Sequence, residues 1–157
     1  MDDNINISDV WEITDQKRLA DLAKTAKDVF IRFAAVKALQ DQDALADIAL
    51  NVNHEKIQTS AIKKLENQAV LAEIATNNNN NIIRLEAAKR LKDKELRDKI
   101  LNDILENCQN YVVKWETLTA LGEEERAEKF LEEVALHGQN HYIRRGAVKL
   151  LKDKVRA

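Results

Sequence analysis

The three histidines are the first side chains that could do chemistry in this sequence. His137 and His141 stand four residues apart, a spacing that can place two metal ligands on one face of a helix. Gly138 and a turn separate them, so we interpret them as solvated loop residues. The pair His54-Glu55 also falls in a predicted turn. The pattern therefore predicts no metal site and no cofactor.

Cys108 is the only cysteine in the sequence, so no internal disulfide can form. A reduced thiol is the ordinary state in a cytoplasmic protein. No glycine-rich phosphate loop, Ser/His/Asp arrangement or paired-cysteine motif accompanies it. We therefore predict that the chain is not an enzyme, and the role of Cys108 is left open.

Composition favours a helical, globular protein. Of the 157 residues, 45% are hydrophobic and 33% are charged. The sequence has no proline and three glycines, so most turn and strand signals are missing. A net charge of −2 gives no overall attraction to nucleic acid or to an anionic membrane. The composition therefore predicts an all-α protein. Because no apolar run is long enough for a signal peptide or a spanning helix, we expect it to be cytoplasmic, and we also expect a monomer.

A leucine-based pattern recurs five times with constant internal spacing. The first leucine of each copy is position 0, and apolar or small residues follow at positions +12, +16 and +20. The copies are Leu19, Ile31, Ala35, Leu39; Leu45, Ile57, Ala61, Leu65; Leu71, Ile83, Ala87, Leu91; Leu101, Val113, Thr117, Leu121; and Leu131, Ile143, Ala147, Leu151. Apolar residues three and four positions apart predict a first helix, A, and a second helix, B, in each copy.

A two-helix repeat of this size cannot bury its own apolar faces, so its copies must stack. The sequence predicts a single domain, residues 1–157, built as a right-handed α-solenoid of about five repeats with a short N-terminal capping helix. The repeats span about 15–40, 41–66, 67–92, 93–122 and 123–153. The copies start 26, 26, 30 and 30 residues apart, and the added four residues should lengthen helix A of the last two repeats by about one turn.

Polar residues mark the predicted helix starts. Asp15, Asp41 and Asn67 stand four residues before position 0, where they would cap helix A, and Asp93 has this role in the fourth repeat. Gly122 stands where a helix would stop. Position +9 would cap helix B, and its members are Asp28, His54, Asn80, Asn110 and Asn140.

The runs LADLAKTAKDVFIRFAAVKAL, IIRLEAAKRL and YIRRGAVKLL resemble short bacterial and archaeal HEAT-like repeats, which are also found in phycobilisome lyases. The resemblance covers about residues 15–153. It implies stacked helical hairpins whose B helices line a concave side. Such solenoids serve as scaffolds, adaptors, lyases and base-excision enzymes, so the resemblance alone leaves the function open.

Two enzyme families resemble this repeat. Deoxyhypusine hydroxylases place a His-Glu pair just before the helix B alanine to bind iron. Here that slot holds Ala34, Ser60, Glu86, Glu116 and Gly146, none of which follows a histidine. The resemblance to DNA-alkylation-repeat glycosylases extends to Trp115 beside Glu116 but not to their full aromatic and acidic cleft. Neither enzyme site is expected.

Position +13 carries a third helix B column, Arg32, Gln58, Arg84, Lys114 and Arg144. It lies at the border of the buried face, about 100° from position +12. In similar repeats this residue looks structural. We expect it to bridge adjacent repeats through acidic turn or A-helix residues, in preference to binding a ligand.

Two further columns of helix B predict a binding strip on its exposed side. The candidate partner-binding residues are Phe33, Leu85, Trp115 and Arg145 at position +14, and Lys37, Lys63, Lys89 and Lys149 at position +18. Exposed large apolar groups favour a partner that covers them, although the lysines could instead complement the helix dipoles.

From this strip we predict a non-catalytic scaffold that binds a protein or peptide on the concave B-helix face. An acidic segment with apolar anchors would suit it, with Trp115 as the main contact. Nucleic acid fits less well, because lysines about 10 Å apart are separated by roughly a Debye length. A nucleic-acid-binding repeat protein and a lyase- or glycosylase-type enzyme remain the alternatives.

Overall fold

Two columns of the repeat form the centre of the hydrophobic core. The computed structural model describes residues 5–155, with side chains described through residue 153. The leucine at position 0 is fully buried in all five copies, and so is the small residue at position +16. At Thr117, where threonine replaces alanine, the hydroxyl donates a hydrogen bond to the carbonyl of Val113 at 2.7 Å. The polar group is therefore satisfied inside the core.

Between residues 5 and 155 the chain forms eleven helices and no strand, which confirms the all-α prediction. The helices are α1 (Ile7–Val10), α2 (Gln16–Thr25), α3 (Val29–Ala38), α4 (Gln42–Asn51), α5 (Glu55–Ile62), α6 (Gln68–Asn77), α7 (Asn81–Ala88), α8 (Lys94–Asn107), α9 (Tyr111–Ala120), α10 (Glu124–His137) and α11 (His141–Val155). Helices α8 and α10 have 14 residues, against 10 in α2, α4 and α6. The predicted lengthening of helix A is confirmed.

The helices belong to two compact units, Met1–Lys94 and Glu95–Ala157. In the first unit α2, α4 and α6 form one row of A helices, and α3, α5 and α7 form a second row, here called the B row. The short helix α1 packs on α3, as expected for an N-terminal cap. In the second unit α9 packs on α10 and α10 packs on α11. Within each unit, neighbouring helices pack in sequence order, and the single solenoid domain stays a prediction.

Side-chain caps start most helices where the sequence predicts them. The carboxylate of Asp15, the carboxylate of Asp41 and the amide oxygen of Asn67 each accept a first-turn backbone N–H of their A helix. At position +9 the capping residues are Asp28, Asn80, Asn110 and Asn140. His54 is the exception, since it makes no side-chain cap hydrogen bond. The prediction for His54 is wrong because its ring nitrogen does not reach the α5 amides that a short oxygen-bearing side chain would reach.

Gly122 ends α9 in a left-handed conformation, with φ at 80°. Its N–H donates to the carbonyl of Thr119, and the N–H of Glu123 donates to the carbonyl of Leu118, both at 3.0 Å. These two bonds form a Schellman motif, which satisfies carbonyls at the helix end. The predicted stop at Gly122 is confirmed.

The position +13 side chains bond within their own hairpin. Arg32, Gln58 and Arg84 each donate a hydrogen bond to the carbonyl of an alanine nine residues earlier, at 3.0, 3.0 and 2.9 Å. These carbonyls lie at the C-terminal end of the preceding A helix, where they lack a partner in the helix. The structural role is as expected. The contact itself joins helix A to helix B of one repeat, and not adjacent repeats, because the side chain reaches back over its own turn.

Glutamines at the first position of the A helices connect the start of each repeat to its last residue. The Gln16 side-chain oxygen accepts from the N–H of Gln40 at 2.7 Å, Gln42 accepts from Glu66 at 2.8 Å, and Gln68 accepts from Lys92 at 2.9 Å. The partner lies 24 residues downstream in each case, one residue before the cap of the next repeat. We call these three residues the glutamine ladder.

Basic residues at position +19 connect each repeat to the one before it. The Lys64 ammonium donates to the carbonyls of Val36, Lys37 and Leu39, at and just beyond the end of α3. Arg90 donates in the same way to the carbonyl of Leu65 at 3.1 Å. Burial, and to a smaller extent the charge of Lys37, lowers the pKa of Lys64 below its ordinary value. Each cation therefore closes the C-terminal end of the preceding B helix.

Candidate binding face

The eight predicted partner-binding residues are divided between the two units. Phe33, Lys37, Lys63, Leu85 and Lys89 belong to the B row of the first unit. The second unit holds Trp115, Arg145 and Lys149. Except for Leu85 and Trp115, the predicted residues are exposed. Each unit therefore presents its own part of the predicted strip.

Leu85 does not belong to an exposed surface. Only 2% of this residue is accessible, so its prediction as an exposed contact is wrong. Residues at position +15 are also covered, with Ala34 at 4% and Ser60 at 8%. B helices inside a row are covered on their flanks as well as on the face that meets helix A. The exposed arc is consequently narrower than a single-helix projection predicts.

Two of the predicted lysines are engaged in ion pairs with one carboxylate. Glu86 lies 3.6 Å from the Lys63 ammonium and 3.1 Å from the Lys89 ammonium. Its side chain is 16% exposed, so both pairs are partly shielded from solvent. This arrangement joins α5 to α7 and reduces the positive charge that these two lysines present to a ligand.

Lys37 differs from these two lysines. Its ammonium lies over the ring of Phe33, 5.5 Å from the ring centroid, in a cation–π contact. No carboxylate of the described residues lies within ion-pair distance of Lys37. The charge of Lys37 therefore stands next to an aromatic surface without a neutralising partner on that surface.

A cleft of about 690 Å³ opens between the N-terminal ends of α3 and α5. Its walls are mostly apolar, and the lining residues are Val29, Phe30, Phe33, His54, Glu55, Lys56 and Ile57. Phe30 is 68% exposed, and Val29 and Phe33 are each 38% exposed. Three large apolar side chains thus meet at one partly open site, which we call the α3–α5 cleft.

The sequence contains a signal for this cleft that the repeat columns alone do not reveal. The run Val29–Phe33 carries four apolar residues in five positions, although one buried helix face accounts for only Ile31. The remaining three therefore had to lie outside the core stripe. In the second repeat the equivalent positions of Val29 and Phe30 hold Glu55 and Lys56, so the apolar cluster is not shared by the neighbouring repeat.

The polar residues of the cleft have defined surroundings. The Glu55 carboxylate accepts a hydrogen bond from the side-chain amide of Asn80 at 2.9 Å. His54 Nδ1 is buried and has no hydrogen-bond partner among the described residues. Lys56 extends from the first turn of α5, and no carboxylate of the described chain pairs with it. The cleft therefore combines an apolar wall with one carboxylate and one ammonium group on its α5 side.

Trp115 in the second unit is partly buried. Its indole Nε1–H is covered and makes no hydrogen bond to any residue that the structure describes. A buried indole N–H usually finds a partner. Trp115 therefore presents less accessible surface than its predicted role as the main contact requires, while Arg145 and Lys149 on α11 are exposed.

The residues that could do chemistry are dispersed. Across residues 5–155 no three or more His, Cys, Asp or Glu side chains lie close enough to hold a metal ion. The rings of His141 and Tyr142 are in contact, tilted by 41° with their centroids 3.9 Å apart. Cys108 is buried, and its sulfur accepts a hydrogen bond from the N–H of Asn110 at 3.4 Å.

None of the helices in the described range has the length and apolar character needed to cross a membrane. Comparison with known proteins finds no matching family model, no matching curated protein and no matching solved structure. The assignment of function therefore depends on the geometry of the chain itself.

Proposed function

We propose that this chain is a non-catalytic, cytoplasmic adaptor whose B helices bind a segment of a partner protein, within a HEAT-like α-solenoid. The observation that carries the proposal is the α3–α5 cleft, where Val29, Phe30 and Phe33 remain partly exposed together. Isolated exposed apolar residues are ordinary, but a contiguous group beside a concave site favours a protein-binding surface.

The packed helices of the B row hold this cleft in a fixed geometry. Beneath the exposed residues, Ile31, Ala35 and Val36 on α3 are buried, and the position +13 and +19 hydrogen bonds fix the helix ends. A preformed surface loses little conformational entropy when it binds, so a short peptide segment can achieve useful affinity there. Trp115, Arg145 and Lys149 of the second unit are a separate candidate contact within the same proposal.

Selection from a phage-displayed library of random peptides tests the proposal. Peptides enriched on the wild-type chain should bind Phe30→Ala and Phe33→Ala variants at least about tenfold more weakly, because central aromatic contacts carry a large share of binding energy. Both residues are exposed, so neither change should disturb the core.

Leu50→Ala provides the matched control. Leu50 is a 39% exposed apolar residue of α4, in the row of A helices of the same unit. Its replacement should leave peptide affinity unchanged. The proposal fails if no peptide is enriched, or if the enriched peptides bind all three variants as well as they bind the wild-type chain.

A further inference from the structure

The charged residues around the α3–α5 cleft indicate the charge of the segment that it binds. Its apolar wall ends at Phe33, and the Lys37 ammonium lies 5.5 Å from the centre of that ring. A side chain that packs against Phe33 is therefore a near neighbour of a cation. Lys56 supplies a second cation from the α5 wall.

No carboxylate of the described residues forms an ion pair with Lys37 or Lys56. Glu86 is paired with Lys63 and Lys89, and Glu55, which accepts a hydrogen bond from Asn80, keeps its negative charge in the cleft lining. Lys64, whose ammonium is held by the carbonyls at the end of α3, adds a further positive charge close to Lys37. Glu55 offsets Lys56 at the α5 wall, so the positive charge of the cleft is concentrated at its Phe33 end, although the whole chain has a net charge of −2.

We propose that the α3–α5 cleft binds an extended peptide segment with an apolar anchor and a carboxylate two residues away from it, the anchor packing on Phe30 and Phe33 and the carboxylate pairing with Lys37. Residues two apart on an extended chain point the same way, about 7 Å from each other. That separation matches an anchor on the Phe33 ring and a carboxylate at Lys37. This inference rests on the proposed peptide-binding function.

A charge exchange between protein and peptide tests the inference. The probes are a peptide enriched on the wild-type chain and its counterpart in which the acidic residue is lysine. Lys37→Glu should weaken binding of the acidic peptide roughly threefold to tenfold and should restore binding of the lysine peptide, because an exposed ion pair has an energy of this order. A residue with a purely structural role would not show this restoration.

Lys17→Glu is the matched control, since Lys17 is an exposed lysine of α2 with no ion pair among the described residues. It introduces the same charge change in the row of A helices and should leave both affinities unchanged.

Affinity of the wild-type chain for the acidic peptide should also fall as salt is raised.

The outcomes separate the two proposals. If enriched peptides depend on Phe30 and Phe33 but carry no acidic residue two positions from the anchor, the charge inference is overturned and the adaptor function stands. If no peptide depends on these aromatic residues, the adaptor function itself fails. If Phe30→Ala instead converts a dimer to a monomer in sedimentation, the cleft holds a second copy of this chain and the peptide inference is wrong.

Discussion

Replacing His54 with asparagine should raise the free energy of unfolding of the first unit, because α5 lacks the cap that its neighbours have. At the same repeat position, the Asn80 side-chain oxygen accepts the N–H of Ile82 at 2.8 Å and the Asp28 carboxylate accepts the N–H of Phe30 at 2.7 Å. The imidazole of His54 accepts no such bond, and its Nδ1 is buried without a partner.

The expected gain follows from the cap and from the backbone. An N-cap asparagine typically contributes about 1 kcal/mol, within a range of about 0.5–2 kcal/mol. His54 has φ at −155°, whereas Asn80 has φ at −99°, so the backbone must rotate before the new side chain can reach the α5 amides. We therefore expect the free energy of unfolding to rise by about 0.5–1 kcal/mol. For a unit of this size, that corresponds to about 2–8 °C in the midpoint of thermal unfolding.

Urea and thermal unfolding followed by circular dichroism measure this change. His54→Ala separates the two contributions, because it removes the imidazole without adding a cap. Asn80→Ala removes an existing cap as a control and should lower the free energy of unfolding by about 1 kcal/mol. If His54→Asn is no more stable than His54→Ala while Asn80→Ala is destabilised, the reasoning about α5 is refuted, since the amides of α5 then gain nothing from an oxygen acceptor.

Two further predictions concern the connections between helices. Gln42→Ala should destabilise the first unit by about 0.5–1.5 kcal/mol in urea unfolding, because the Glu66 N–H loses its acceptor. Gln109→Ala, in an exposed turn, is the control and should have no effect, and equal effects of the two changes would show that the glutamine ladder does not stabilise the unit. Hydrogen bonds from Lys24 and then Asn51 hold the pKa of Asp47 below its ordinary value of 3.8, so its contribution to stability is present above that value and is lost as pH falls through the lowered pKa. The stability difference between the wild-type chain and Asp47→Asn should therefore be small but measurable near pH 5 and should vanish in stronger acid, and a difference that persists at the lowest pH would contradict this.

The repeating residues could be predicted because each faces the same surroundings in every copy. Leu45 and Ala61 are buried for the same reason as their counterparts, since a hairpin exposes one apolar stripe and the neighbouring hairpin covers it. Helix caps follow local rules, so Asp41 and Gly122 could be read directly from the chain. The lengthened α8 and α10 follow from counting residues between leucines.

Other features depend on contacts that spacing does not encode. The burial of Leu85 reflects coverage on the flanks of α7, which a projection of one helix does not contain. The position +13 arginines could be assigned a structural role, but their acceptor is a backbone carbonyl and therefore has no sequence signal. The exposure of Phe30 is different, because the run of apolar residues in α3 exceeds what one buried face can hold and so was visible in the sequence.

Through the glutamine ladder and the position +19 cations, the hairpins of the first unit supply their own connections. Gln42 meets a backbone amide at a fixed distance along the sequence, and Lys64 meets carbonyls at a fixed distance in the other direction. A second copy of residues 41–66 inserted in tandem would thus bring its own closing hydrogen bond and its own lysine for the preceding hairpin. We therefore expect the first unit to accept a longer row of hairpins through duplication of a single gene segment.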